Sequence, residues 1–249
     1  RIAAERRHRV ALFEKDKKVG GQLALWAAAP SMGELGNIIR WRISELDRLG
    51  VKIYLNQAIE KSDLDSLNAD VIVIATGSND VNQPVSGEHT IQTVTPHMLL
   101  RGGAVQATKA LVINEGRGQA GLAAAELLLC KGIEVEIISS DIAVGADIDP
   151  TNRTAWFMRL GEKGCQFSAA QIVVSAQGNR VACRNVYDDR IKYREGIDLI
   201  VTWHGCQANT SVVALSGTLP DRFHYIGDCV SPRSVEIAMG EAEELANRL

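Results

Sequence analysis

Aromatic residues are scarce in this chain, 5% of 249 residues, and its five cysteines form no C-x-x-C pair. Cys130, Cys165, Cys183, Cys206 and Cys229 are scattered, which argues against a disulfide framework and against a structural zinc. They are expected to be small buried hydrophobes in a reducing, cytoplasmic compartment, and no metal ligand set is assigned. No apolar stretch approaches the roughly 20 residues of a membrane-spanning helix, and no signal-peptide pattern opens the chain. A long basic run is also missing, 27 Lys and Arg standing against 30 Asp and Glu. Nucleic acid and a membrane are therefore not expected as partners, and self-association is left open. What the chain does have is aliphatic bulk and 22 glycines, with 46% hydrophobic residues overall. That suffices for one large domain or two modest ones, each with its own core.

The apolar pattern alternates between two periods. Val10–Glu14, Val51–Leu55, Val71–Ala75, Ala110–Ile113, Val135–Ile138, Asp198–Thr202 and His224–Ile226 read as short buried strands. Glu34–Leu49 carries Leu35, Ile38, Ile39, Ile43 and Leu46 mostly three and four apart, a helical spacing, and Gly50 stops it. Leu122–Cys130, Ala155–Glu162 and Val235–Leu249 also read as helices, and Gln171–Ser175, Arg180–Val186 and Arg190–Arg194 as a small antiparallel set. Arg1–Arg7 reads as the last turns of a helix running into a strand, so a preceding portion of the polypeptide is expected. Alternating strands and helices predict an α/β fold with parallel sheets, and the recurring strand–glycine–helix theme suggests two related units.

Gly116-Arg117-Gly118-Gln119-Ala120-Gly121 matches G-x-G-x-x-G between a strand and a helix. Gly116 permits the tight turn, Gly118 lets the backbone approach a pyrophosphate, and Gly121 lets helix and strand pack closely. The helix start offers free N–H groups to phosphates, and Arg117 offers a cation. The next strand ends in Ser139-Ser140-Asp141, which settles neither NADH nor NADPH. Glu14 ends an earlier strand, where an acid can hold an adenosine ribose. His204 has no visible partner and is read as a structural loop histidine.

The order of motifs resembles the C-terminal half of the 2,4-dienoyl-CoA reductase / trimethylamine dehydrogenase family of flavoproteins, and especially its amine demethylase branch. The resemblance rests on His8-Arg-Val-Ala-Leu-Phe-Glu-Lys15, Val19-Gly-Gly-Gln-Leu23, Leu49-Gly-Val-Lys-Ile-Tyr-Leu-Asn56 and Asp70-Val-Ile-Val-Ile-Ala-Thr-Gly-Ser78. It continues through Gly118-Gln-Ala-Gly121 with Ala125-Glu126, then His204-Gly205 and Tyr225-Ile-Gly-Asp-Cys-Val-Ser-Pro-Arg233. It implies two Rossmann-like dinucleotide-binding domains, one inserted in the other, as in pyridine nucleotide-disulfide oxidoreductases. The FAD domain is expected over 1–105 and 207–249, and the inserted NAD(P)-binding-like domain over 106–206. Glu14 and Lys15 would lie at the FAD adenosine ribose, and Gly20, Gly21 and Gln22 along the FAD. Ala75, Thr76 and Gly77 would form the turn leaving the FAD unit, and Gly227 and Asp228 would hold the ribityl–pyrophosphate region. The resemblance further implies an upstream (β/α)8 barrel with FMN and a 4Fe-4S cluster, acting on an enoyl thioester or an N-methyl amine. Electrons would pass between NAD(P)H or another carrier, FAD and that barrel; no catalytic side chain is assigned here. The first glycine-rich loop and the central strand of the FAD unit are absent, and in some members the equivalent module holds only ADP, in a structural role.

Overall fold

A computed structural model describes residues 1–64, 67–211 and 222–249. Residues 212–221, within the FAD domain expected from the motifs, lie outside the described residues. By compactness the chain divides into one unit of Arg1–Ala24, Glu34–Asn79 and Cys206–Leu249, and a second of Leu25–Gly33 and Asp80–Gly205.

Unit 1 begins with α1 (Ile2–Glu5), β1 (Ala11–Phe13) and α2 (Gly21–Trp26), whose last residues belong to unit 2. It continues with α3 (Leu35–Arg48), β2 (Lys52–Tyr54), α4 (Lys61–Leu64), β3 (Ile72–Ile74) and the crossover strand β4 (Ser78–Asp80). Unit 2 holds β5 (Gln92–Val94), α5 (Pro96–Leu100), β6 (Lys109–Asn114), α6 (Ala120–Cys130), β7 (Glu134–Ile138), α7 (Pro150–Glu162) and β8 (Gln166–Ser168). It ends with β9 (Gln171–Gln177), β10 (Arg180–Asn185), β11 (Ile191–Arg194) and β12 (Leu199–Trp203). The chain then returns to unit 1 with β13 (Cys206–Ala208), β14 (Phe223–Tyr225) and α8 (Val235–Arg248).

The sheet of unit 2 has five strands in the order β5-β12-β6-β7-β8, all parallel. The aliphatic run Lys109–Asn114 forms its middle because both faces are covered: Ala110, Leu111 and Val112 are fully buried. On one face lies α6, whose alanines bring its axis close to the sheet; Ala124, Ala125 and Leu128 are fully buried there. The other face carries the antiparallel set β11-β10-β9, packed through Leu111, Ile113, Ile138, Val181 and Cys183. That set agrees with the sequence expectation, as do the strands and helices on the main apolar runs, with ends shifted by one to a few residues. Helix α7 starts earlier than expected, at Pro150, because the Asp149 carboxylate accepts the N–H groups of Thr151 and Asn152 at 3.1 and 3.0 Å. Burial pushes the thiols of Cys165 and Cys183 up to about 12 and about 11, so neither yields thiolate near neutrality. Cys130 departs from the expectation of burial: it ends α6 on an exposed face.

Unit 1 is built differently. Its parallel strands form two separate pairs, β1 with β2 and β3 with β14. Phe13 and Tyr54, partners in register, stack with ring centroids 4.9 Å apart. A small core of Leu64, Ile72, Ile74, Phe223 and Cys229 lies at the second pair. Val73, in the middle of its β-branched run, is 42% exposed. No helix among the described residues is long and apolar enough to cross a membrane.

Candidate functional site

In unit 1 Glu14, Ala75 and Gly227 follow the carboxyl ends of the parallel strands β1, β3 and β14, where ligands of open α/β sheets bind, and Gly20, Gly21 and Gln22 lie at the start of α2. Glu14 follows β1; its backbone N–H donates to Tyr54 O at 2.8 Å, and its carboxylate accepts the Asp16 N–H at 2.9 Å. Lys15 is exposed beside it. Gly20 and Gly21 open α2 with φ of +122° and +49°, conformations that suit glycine. At Gly20 a side chain is also excluded by contact, since a Cβ would lie 2.8 Å from Ile39 Cδ1. Gly21 and Gln22, expected along the FAD, form the first turn of a helix.

That turn aims Gln22 into the unit. Its Nε2 donates to Ser78 Oγ at 2.7 Å, and Ser78 Oγ donates onward to Asp228 Oδ2 at 3.2 Å. The other Asp228 oxygen accepts the Arg233 N–H at 3.1 Å. Three sequence-distant segments thus meet in one directed chain of donors that ends on a carboxylate. Ser78 is its middle member and was not singled out from the sequence; its place directly after Ala-Thr-Gly was the available signal. Glu14 and Lys15 belong to a separate local turn. Ala75 and Thr76 are exposed, and Gly77, at φ +72°, turns the chain toward β4. The Thr76 hydroxyl donates to Asn209 O at 3.3 Å, and the Asn209 N–H donates to Gly77 O at 2.9 Å.

Gly227 is buried at the start of a 3-10 turn, Gly227–Cys229, with φ +68°. Its N–H donates to Glu241 Oε2 at 2.7 Å, and Arg233 pairs with the same carboxylate. The Gly227 N–H, followed by Arg233, holds the Glu241 carboxyl below its ordinary range. Arg233 and Glu241 therefore brace the turn that presents Asp228.

In unit 2 the loop between β6 and α6 sits at a switch point of the sheet, between β6 and β12. Gly116 is required there by contact: a Cβ would lie 2.1 Å from Gly205 N, in the loop after β12. Gly121 has the same basis, its Cβ position lying 2.2 Å from Asn114 Oδ1. The helix start carries no side-chain cap, Gln119 making none. Arg117 is exposed. Two acids that the sequence reading passed over stand in this cradle. Gly118 N–H donates to Asp147 Oδ2 at 2.6 Å. Glu115 Oε1 accepts the Ser140 N–H at 2.9 Å, and its other oxygen accepts the Ser140 hydroxyl. Burial lowers the His204 imidazole below its ordinary value, outweighing the nearby Glu115 charge, which would raise it.

No family model matches the chain. It is 34% identical over 240 residues to N,N-dimethylglycine/sarcosine dehydrogenase of Chromohalobacter salexigens, an alignment taking in 90% of this chain and 32% of the relative. Among solved structures it superposes on histamine dehydrogenase from Rhizobium sp. 4-9 with a TM-score of 0.88 at 19% identity, covering 100% of this chain and 41% of that one. Thioredoxin reductase of Lactococcus lactis gives a TM-score of 0.71 at 18% identity, covering 99% of this chain and 91% of that one. The last likeness shows an α/β fold of the pyridine nucleotide-disulfide oxidoreductase type. The chain spans about a third of the length of the curated relative it matches. In motif order and in its likeness to that dehydrogenase over 90% of its length, the chain resembles the C-terminal module of the 2,4-dienoyl-CoA reductase / trimethylamine dehydrogenase family of flavoproteins.

Proposed function

We propose that the chain is the electron-transfer module of a flavin-dependent oxidoreductase, with FAD held along unit 1. The Gln22–Ser78–Asp228 chain carries this reading. A carboxylate fixed by two donors, at the end of a parallel strand and beside a left-handed glycine, suits a ribityl hydroxyl or a bridging water. Glu14 would accept the adenosine ribose hydroxyls, with Lys15 beside it, while Gly20 and Gly21 let the backbone run close to the dinucleotide. Ala75, Thr76 and Gly77 would line the turn leaving the site. The two open strand pairs fit a further parallel strand between β1 and β3, supplied with its glycine loop by preceding residues of the same polypeptide. When bound, FAD supplies the redox chemistry, and the protein supplies position and electrostatics.

The partner at one end is proposed to be an FMN and 4Fe-4S barrel in the same polypeptide, acting on an N-methyl amine or an enoyl thioester. At the other end stands NAD(P)H on Gly116, Arg117, Gly118 and Gly121, or another carrier. The acids of unit 2 favour a second reading for that half, a structural domain that holds no nicotinamide. Denaturing the purified full-length protein should release FAD, seen by its absorbance; a colourless protein would refute the flavin assignment. Rapid mixing with NADH and NADPH separates the two readings of unit 2, since only the first predicts bleaching of the flavin.

A further inference from the structure

Every residue of the unit 2 glycine loop before the helix is already engaged by the protein itself. The Gly116 N–H donates to Trp203 O at 2.7 Å, and Arg117 O accepts the Trp203 indole N–H at 3.0 Å. The Trp156 indole N–H donates to Gln119 Oε1 at 2.7 Å. Gly118 alone is tied by a charge. Its φ is +84°, a Cβ on it would meet nothing within 4 Å, and its N–H donates to the Asp147 carboxylate at 2.6 Å. A diphosphate reaching this loop would need that donor, and an N–H to a carboxylate is about twice as strong as a neutral pair.

Two further observations point the same way. The Glu115 carboxylate occupies the Ser140 N–H and hydroxyl at the end of β7, where a ribose would otherwise bind. Asn114 Oδ1, in a residue only 3% exposed, has no hydrogen-bond partner and sits against Gly121 at the helix start, adding a buried acceptor to the same cradle. Two acids, Glu115 and Asp147, thus stand at the loop, against Arg117 within it. An incoming pyrophosphate would meet repulsion as well as an occupied donor.

We propose that Asp147 is a resident anion at the phosphate position of the Gly116–Gly121 loop, barring dinucleotides from unit 2, and that removing its charge admits NADH. The proposal rests on unit 2 being of the dinucleotide-binding type and decides between the two readings above. Asp147 is exposed and lies outside the proposed FAD residues, so its replacement leaves both the fold and the flavin half in place.

The test titrates NADH, followed by its fluorescence, into the full-length protein with FAD in excess to fill unit 1. Wild type is expected to bind NADH weakly and Asp147→Glu equally weakly. Asp147→Ala should bind about tenfold or more tightly, with Asp147→Asn, which keeps the hydrogen bond and loses the charge, in between. Wild type binding NADH as tightly as Asp147→Ala, or all variants staying as weak as wild type, overturns the proposal. Flavin release from the wild-type protein is a separate measurement, so failure of the flavin assignment shows independently of the NADH series.

Discussion

Two aliphatic runs of this chain, Ala110–Ile113 in unit 2 and Val71–Ala75 in unit 1, read alike in sequence and differ in surroundings. Ala110, Leu111 and Val112 are fully buried between α6 and the antiparallel set, whereas Val73 is 42% exposed and Phe13, in the neighbouring pair, 36%. A run of apolar residues reports what a strand can bury, and the neighbours decide whether it does so. Unit 2 brings its own neighbours. Among the described residues, the strand pairs of unit 1 keep open edges.

This contrast can be broken most sharply at charge pairs. Arg194 and Glu136 join β11 to β7 at 2.8 Å with both side chains nearly buried, so Arg194→Met leaves a carboxylate stranded and should cost about 3–5 kcal/mol in urea unfolding. The exposed Arg48–Glu45 pair of unit 1 should show no measurable change on Arg48→Met. The pH profile carries the same signature. Burial alone would raise the Glu136 carboxyl, but Arg194 and Ser168 outweigh it and hold it below its ordinary value. Its contribution is thus present above the ordinary carboxylate range and disappears as pH falls through the lowered folded value. Equal acid sensitivity in wild type and Arg194→Met would remove this account.

Core truncation comes next. Leu128→Ala in the fully buried face of α6 should lower stability by about 2–5 kcal/mol, while Ile38→Ala on α3, 39% exposed, should cost under about 1 kcal/mol. Matching losses at both positions would dissolve the difference between the units. A smaller effect is expected at the proposed flavin site. Asp228→Ala, by removing the end of the donor chain, should weaken FAD retention about tenfold, or about 1.4 kcal/mol, as read by the flavin left after dialysis. The smallest is Ser234→Ala, which removes the cap in which Ser234 Oγ accepts the Ile237 N–H at 3.4 Å and should cost about 0.5–1 kcal/mol in thermal unfolding. An unchanged melting temperature there would mean that α8 is held by its packing alone.

Much of the fold was legible because it is written locally. Strand, glycine turn and helix follow one another in Ala110–Cys130, and the antiparallel hairpins at 171–194 announce themselves by short runs and turns. Less legible were β5, β8 and β13, three residues each and too short to show a period. That Leu25–Gly33 packs with unit 2 also had no local sign: Ser31 donates to Glu126 Oε2 at 2.7 Å across 95 residues of sequence. At the candidate sites the glycines were found because backbone geometry restricts the residue type. Ser78, Asp147 and Glu115 were missed because an ordinary polar residue shows no purpose until its partner is known.

The sequence by itself determined where the chain can turn without a side chain, where it must bury aliphatic surface, and so the α/β succession and the glycine positions. These are short-range effects, settled within a few residues of backbone. Only the tertiary structure decided which side chains meet those glycines. Asp147 reaches Gly118 from 29 residues away, and Asp228 receives the Ser78 hydroxyl across 150. Packing of the sheets and their covering layers brings such distant groups together, and no local preference encodes the result.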